Sequence, residues 1–424
     1  MEKSHNKDRN VEMESGHEEE EPAQSFFLQE HREIYCGLVR LQECLTDHGG
    51  EVVQLELGFW REMNPDIVTA YKLMEEGSKY VKSMSTKYTL MGKVSSSSQS
   101  HIDLANELLR GAEQIATGAS FLLQNGCGRS CQKAIQDGVR NTISSLASLI
   151  QLFLQKEPTR ENDDTFQTAV NRKTGVVWTT CDELMLLPKG NRSAIRREIL
   201  GWIRDCMETM EEFQLLLEKQ PPQSIAPESH VDLHHMHKLS LGDRQPCSVA
   251  EGNMTQWDEF CTGQDDDLYY SILEKAIVES CLALIKCSRG TLKLTLETCE
   301  VAGELLSVTT AKIPTTTTAV QDKQILQWIG TLSDVAKAVG EGVTNLGMQL
   351  YPSLQLEALS SELASQKDAL LRLQHCLING ASDIIAICSS STLLLTLKDK
   401  ATKLAHNAEE RYQQANSAIL VAQK

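Results

Sequence analysis

The segment 356–377, LEALSSELASQKDALLRLQHCL, places a leucine at every seventh position, and this repeat decides the fold class. The repeated leucines, which we call the leucine seam, are Leu356, Leu363, Leu370 and Leu377. Apolar residues that recur with a period near 3.5 residues form a stripe along one side of a helix. The segment therefore predicts a helix that packs against other helices.

The sequence before the leucine seam argues against a DNA-binding zipper. No lysine or arginine occurs from Ala338 to Gln366. A zipper that binds DNA needs a basic stretch just upstream, because neutralising phosphates supplies most of its affinity. We therefore expect most of the seam to be core of the chain's own bundle. If the seam is exposed instead, Leu356, Leu363, Leu370 and Leu377 are candidates for contact with a partner protein.

The composition of the 424-residue chain favours an all-α fold. Aromatic residues make up 5% and there are 10 prolines, whereas leucine, alanine, glutamate, glutamine and lysine, which favour helices, are abundant. The net charge of −17 argues against nucleic acid or an anionic membrane as the main partner, since both require clustered cations. We expect no nucleic-acid partner and no cofactor.

Apolar periodicity divides the chain into two helical bundles. We predict a disordered acidic tail at 1–25, an N-terminal bundle at 26–219, a flexible acidic linker at 220–266 and a C-terminal bundle at 267–424. The linker holds four of the ten prolines together with many polar residues. The predicted helices are 27–47, 51–88 with a possible break at Pro65, 100–124, 130–156, 163–186, 191–218, 268–310, 320–350, 354–379, 382–398 and 400–422.

No residue pattern predicts catalysis or a metal site. The chain contains no GxGxxG, GxxxxGK[ST], HExxH or GxSxG motif, so we expect no catalytic, cofactor-binding or metal-binding residues. Four histidines between His230 and His237 lack a CxxC partner motif. The 13 cysteines form no disulfide framework, and Cys127 and Cys131 are expected to serve in packing and capping. Reduced thiols predict a cytosolic or nuclear protein.

Neither a secretory signal nor a membrane span is predicted. The chain starts MEKSHNKDRN, which lacks an apolar signal region, and contains no uncharged apolar run long enough to cross a bilayer.

The five tryptophans have two predicted roles. Four of them, Trp60, Trp178, Trp202 and Trp328, lie in predicted helices beside apolar residues and are expected to anchor bundle cores. Trp257 lies in the predicted linker near Phe260, and this aromatic pair is a candidate docking element for a partner protein.

Several short islands, taken in order, resemble the cyclin-D-binding protein 1 family, also called the Grap- and cyclin-D-interacting proteins. The islands are Phe59-Trp60-Arg61, Val177-Trp178 with Cys181, Pro188-Lys189-Gly190-Asn191, Cys281-Leu282-Ala283-Leu284-Ile285-Lys286 and Leu350-Tyr351-Pro352. The resemblance covers most of 50–380. The chain departs from the family in its longer acidic tail, its histidine-rich linker and its extension after Gly380.

The resemblance implies both a fold and a function. Family members have all-α bundles like those of vinculin and α-catenin, and a zipper without a basic region. The resemblance implies binding to D-type cyclins, reduced phosphorylation of the retinoblastoma protein by cyclin-dependent kinase, and movement between cytoplasm and nucleus. The alternative function is a helical scaffold of the vinculin/α-catenin type. Residue patterns alone leave the binding surface and the oligomeric state open.

Overall fold

The computed structural model describes residues 20–46, 55, 57–60, 64–94, 98–155, 164–219, 269–306, 316–388 and 392–423. These residues contain ten α-helices, a 3-10 helix at Leu57–Phe59 and no strand, which confirms the all-α prediction. The helices are α1 (Glu20–Thr46), α2 (Pro65–Val94), α3 (Gln99–Gln124), α4 (Arg129–Leu154), α5 (Asp164–Met185), α6 (Asn191–Glu218), α7 (Ile272–Leu305), α8 (Thr316–Met348), α9 (Leu356–Cys388) and α10 (Thr392–Ala422).

Local sequence signals fix several helix ends. The predicted break at Pro65 is confirmed, because α2 begins at that residue, where the missing proline N–H removes no helical hydrogen bond. The Asn64 side chain accepts a hydrogen bond from the Asp66 N–H at 3.1 Å. At the start of α3, Ser98 accepts one from the His101 N–H at 3.3 Å. Each side chain satisfies a backbone donor that the first helical turn leaves unpaired.

The predicted break near Gly380 is wrong, because α9 continues through that glycine to Cys388. A glycine inside a helix costs about 1 kcal/mol relative to alanine. Ala381 and Ile384 follow Gly380 and are 1% and 2% exposed, so the burial of the next turn offsets this cost.

The chain divides into two compact units. Unit 1 comprises Met1–Ile199, Thr298–Asp334 and Ala386–Cys388, and unit 2 comprises Leu200–Glu297, Val335–Ile385 and Ser389–Lys424. The predicted linker at 220–266 and residues 1–19 of the predicted tail lie outside the described residues, and α1 begins at Glu20. The vinculin-like arrangement and the division at the linker remain predictions.

In unit 1, α3 packs against α1, α2 and α4, and α5 packs against α2 and α4. Fully buried residues recur every seventh position along α3, at Leu108, Ile115 and Leu122. The contact between α2 and α3 is close at Gly118, where a Cβ atom would lie 2.8 Å from the Ala70 carbonyl oxygen. The bundle therefore depends on a small residue at this contact.

In unit 2, the buried side of α10 includes several small residues. Its buried residues include Leu394, Ala401, Ala408 and Ala415, which recur every seventh position. An ion pair of 3.2 Å joins Lys400 of α10 to Glu297 of α7. The final helix, which the family resemblance does not cover, thus belongs to the core of unit 2.

Candidate functional site

Most of the leucine seam lies in the core of unit 2. Leu363, Leu370 and Leu377 are at most 2% exposed, whereas Leu356, at the first position of α9, is only partly buried. This burial confirms the expectation that most of the seam is core. A partner contact through the seam remains a prediction, and Leu356 is the seam leucine with exposed surface.

Two buried glutamines fix the position of α9 against its neighbours. The Gln366 Nε2 donates to the Ser288 Oγ of α7 at 2.9 Å and to the Val339 carbonyl of α8 at 3.2 Å. The Gln374 Nε2 donates to the Thr291 Oγ1 of α7 at 3.2 Å. Since an unpaired buried polar group costs free energy, these bonds favour one register of α9.

The tryptophans do not all behave as predicted. Trp60 and Trp328 are buried, at 4% and 8% exposure. The core assignment of Trp178 is wrong, because its side chain is 39% exposed. The neighbouring Val177 is fully buried and occupies the core position, and one residue along a helix turns the side chain by about 100°. Trp257 and Phe260, the predicted docking pair, lie outside the described residues.

In unit 1, the α3–α4 turn and the α5–α6 turn meet in a buried polar junction. The Asn191 side chain accepts from the Gly128 N–H at 2.7 Å and donates to the Gly126 carbonyl at 3.1 Å. The Tyr71 hydroxyl accepts from the Gly190 N–H at 3.2 Å and lies 3.5 Å from the Cys131 Sγ. The island 188–191 therefore has a structural role, holding two turns together.

The chemistry of this junction is that of a packed core. Burial raises the pKa of the Cys127 thiol and of the Tyr71 phenol, so both stay protonated. Hydrogen bonds from Cys127 and Tyr71 lower the pKa of Cys131 while burial raises it, but Cys131 is only 1% exposed. No substrate can reach it. Among the described residues, no three His, Cys, Asp or Glu side chains are grouped to hold a metal ion.

A second junction, in unit 2, joins the start of α7 to the loop before α9. The Glu274 carboxylate accepts from the Ser271 N–H at 2.8 Å, and the Ser271 Oγ accepts from the Glu274 N–H at 3.2 Å, forming a capping box. The same carboxylate accepts from the Leu354 N–H at 3.0 Å. Burial alone raises the pKa of Glu274, but these hydrogen bonds outweigh it and the pKa is lowered.

The exposed side of α6 in unit 2 mixes apolar and acidic side chains. Leu200, Met207 and Leu215 are 43%, 39% and 65% exposed, and their spacing of seven and eight residues places them on one side of the helix. We call this surface the acidic face and define it by Leu200, Met207, Glu208, Glu211, Glu212 and Leu215. The three glutamates are exposed.

The end of α8 borders the acidic face. The Tyr351 ring packs edge-on against Phe213 of α6, with 5.0 Å between centroids, and its hydroxyl donates a hydrogen bond to Glu212. Tyr351 is 43% exposed and extends the apolar surface beside α6, and Met348, the last residue of α8, is 60% exposed. This surface was not predicted from the sequence, although the spacing of the three apolar residues on α6 could have indicated it.

No membrane-crossing helix occurs in the described parts of the chain, where every helix is too short or too polar to span a bilayer.

Comparison with known proteins finds similarity to one family. Residues 73–219, from within α2 to just after α6, match the family model described as "Grap2 and cyclin-D-interacting, N-terminal". The chain is 21% identical over 307 residues to the cyclin-D1-binding protein 1 homolog of Danio rerio, covering 72% of this chain and 75% of that protein. It is 22% identical over 230 residues to the protein of the same name from Xenopus laevis, covering 54% of each.

The matched range includes the whole acidic face and the two turns of the buried junction of unit 1, but it begins just after Tyr71. The resemblance drawn from the short islands is confirmed, since the matched family model and both relatives carry the names of the cyclin-D-binding protein 1 family.

Proposed function

We propose that this protein is a non-enzymatic regulator that binds a D-type cyclin and thereby restrains cell-cycle progression, with reduced phosphorylation of the retinoblastoma protein as the result. The match of residues 73–219 to the family model carries the proposal. The names of the two relatives, which describe cyclin-D1 binding, support it.

The chemistry of the described residues suits binding more than catalysis. Polar groups such as the buried Asn191 and the partly buried Glu274 join turns and helices, and the surface that mixes apolar and charged groups lies on a helix. A protein that acts only by binding must inhibit its partner stoichiometrically, one molecule for each partner molecule bound. Other regulatory proteins can be bound in the same stoichiometric manner. We also propose that the protein works in both cytoplasm and nucleus.

A kinase titration tests the proposal. Purified full-length protein is added to an active complex of D-type cyclin and its kinase, at concentrations above the dissociation constant, and retinoblastoma phosphorylation is measured. Inhibition should saturate near equimolar protein. A kinase complex with a different cyclin serves as the control and should be unaffected.

Absence of both cyclin binding and inhibition would refute the proposal and favour the alternative, a helical scaffold of the vinculin/α-catenin type. Inhibition at far below equimolar protein would also refute it, because a binding protein without catalysis cannot turn over. Imaging of the tagged protein tests localisation, and its exclusion from the nucleus would contradict that part.

A further inference from the structure

We propose that the acidic face of α6, together with Met348 and Tyr351 beside it, is a docking surface for a basic amphipathic helix of a partner protein. This deepens the proposed function by naming the surface and the chemistry of the segment it binds. The surface lies wholly within unit 2, on residues 200–218 and at the end of α8.

The apolar part of the surface suits a helix as the occupant. Leu200, Met207 and Leu215 form a stripe along about four turns of α6, and the buried Phe213 lies on roughly the opposite side of the helix. Large apolar side chains aligned along an exposed helix form the contact stripe of a helix-to-helix interface. A partner helix with apolar residues at matching spacing would remove this stripe from water.

The charge of the surface selects a basic occupant. Residues 204–218 contain five acids, Asp205, Glu208, Glu211, Glu212 and Glu218, and one base, Arg204. Arg204 Nε lies 3.9 Å from Glu208, which leaves the other acids of this segment in excess. Burial and the neighbouring charge of Glu208 raise the pKa of Asp205, as expected where negative charges crowd together. Lysines or arginines flanking the apolar stripe of a partner would meet complementary charge.

Tyr351 makes the end of the surface rigid. Its ring packs on the buried Phe213, and its hydroxyl is bound to Glu212. An aromatic side chain held in place loses little conformational entropy when a partner covers it, which favours binding.

The exposed apolar residues of α10 and α5 lack this combination. On α10, Leu393 and Leu395 lie at the first turn, whereas Leu420 and Val421 lie at the last, so they form no continuous stripe. On α5, the exposed Trp178 has both Lys173 and Glu183 within about two turns, so no single sign of charge selects a partner.

A peptide-binding assay with the full-length protein tests the proposal. The probe is a fluorescent amphipathic peptide of leucine and lysine, about four helical turns long, and fluorescence anisotropy gives its affinity. A peptide with glutamate in place of lysine is the charge control. We expect the lysine peptide to bind, the glutamate peptide not to bind, and affinity to fall as salt rises from about 50 to 300 mM.

Matched variants locate the binding. Glu208→Lys with Glu211→Lys should weaken binding at least about tenfold, and so should Leu215→Ser with Met207→Ser. Glu113→Lys with Glu183→Lys makes the same charge change on exposed residues of unit 1 and should change the affinity less than about twofold. Circular dichroism should show that all three variants keep the helical fold.

Several outcomes would overturn the proposal. If the unit 1 variant loses as much affinity for the lysine peptide as the α6 charge variant, the attraction to this acidic protein is non-specific. If the glutamate peptide binds as tightly as the lysine peptide, charge has no role. A dimer that Leu215→Ser dissociates would assign the face to a second copy of this chain. Cyclin capture by the same variants separates the two proposals. A cyclin that binds the wild type and the Glu208/Glu211 variant equally refutes the surface alone, whereas peptide binding without any cyclin binding refutes the proposed function alone.

Discussion

Gly118 and Gly175 are both helical glycines of unit 1, but their surroundings differ. A Cβ atom at Gly118 would lie 2.8 Å from the Ala70 carbonyl oxygen and 2.7 Å from the Met74 Cγ, whereas a Cβ atom at Gly175 would meet nothing within 4 Å. The same substitution should therefore have opposite effects at the two sites.

We predict that Gly175→Ala stabilises the protein by about 0.5–1 kcal/mol, because alanine restricts the unfolded chain and favours helix. Gly118→Ala has the same favourable effect on the unfolded chain and on helix preference. It also forces α2 and α3 apart, however, at a cost of about 1–3 kcal/mol. Urea unfolding of both variants measures the difference. If Gly118→Ala is as stabilising as Gly175→Ala, the two helices are not in close contact at this point.

Glu274 gives a pH-dependent prediction. Because its pKa is lowered in the folded protein, its contribution to stability is fully present above the unfolded-state value near 4.5 and is lost as pH falls through the folded value. Glu274→Gln should cost about 1 kcal/mol at pH 7, the usual effect of weakening a helix cap. This cost should shrink as the pH falls below about 4.5.

Thermal unfolding of the wild type and Glu274→Gln from pH 7 down to about pH 3, which is well below the unfolded-state value, tests this prediction. Glu279→Gln is the control, since Glu279 is exposed on the same helix. A cost at Glu274 that does not depend on pH would mean that the shape of the side chain matters and its charge does not.

At the scale of the helix, α9 provides a test within one leucine repeat. Leu363 is fully buried, whereas Leu356 at the first position is only partly buried. We predict that Leu363→Ala and Leu370→Ala each cost about 2–5 kcal/mol, the usual range for truncating a buried leucine. Leu356→Ala should cost clearly less. Chemical denaturation of the three variants measures these costs. If Leu363→Ala keeps wild-type stability but loses binding to a partner, the seam is an interface.

Sequence periodicity predicted α9 and its buried side well, because burial selects leucine at every seventh residue. It failed near Gly380, where the predicted bounds 354–379 and 382–398 divide one helix; the burial of Ala381 and Ile384 offsets the low helix preference of glycine. It also failed for Trp178. Either Val177 or Trp178 could occupy the core position, and only the packing of the neighbouring helices determines which of them is buried.

The acidic face was missed for a related reason. Its outward apolar residues alternate along α6 with inward ones such as Ile203, Cys206 and Phe213, so the sequence alone does not separate the two sides. The three-dimensional position of α8 beside α6 shows which side is buried. The family islands, by contrast, were recognised by resemblance, and the structure shows that Asn191 and Leu350 of two of these islands make defined hydrogen bonds to residues that lie between helices.

For the whole molecule, charge and burial together predict the absence of DNA binding. The net charge of −17 repels phosphates, no basic arm precedes the seam, and the buried part of the seam cannot pair with a second zipper. An electrophoretic shift assay at about 150 mM salt should therefore show no complex at about 10 µM protein, a concentration at which non-specific DNA-binding proteins already associate. A basic zipper peptide on the same probes is the positive control. Nanomolar affinity for a probe of any sequence would contradict the prediction, because it would require a cationic surface that outweighs the excess of acidic residues.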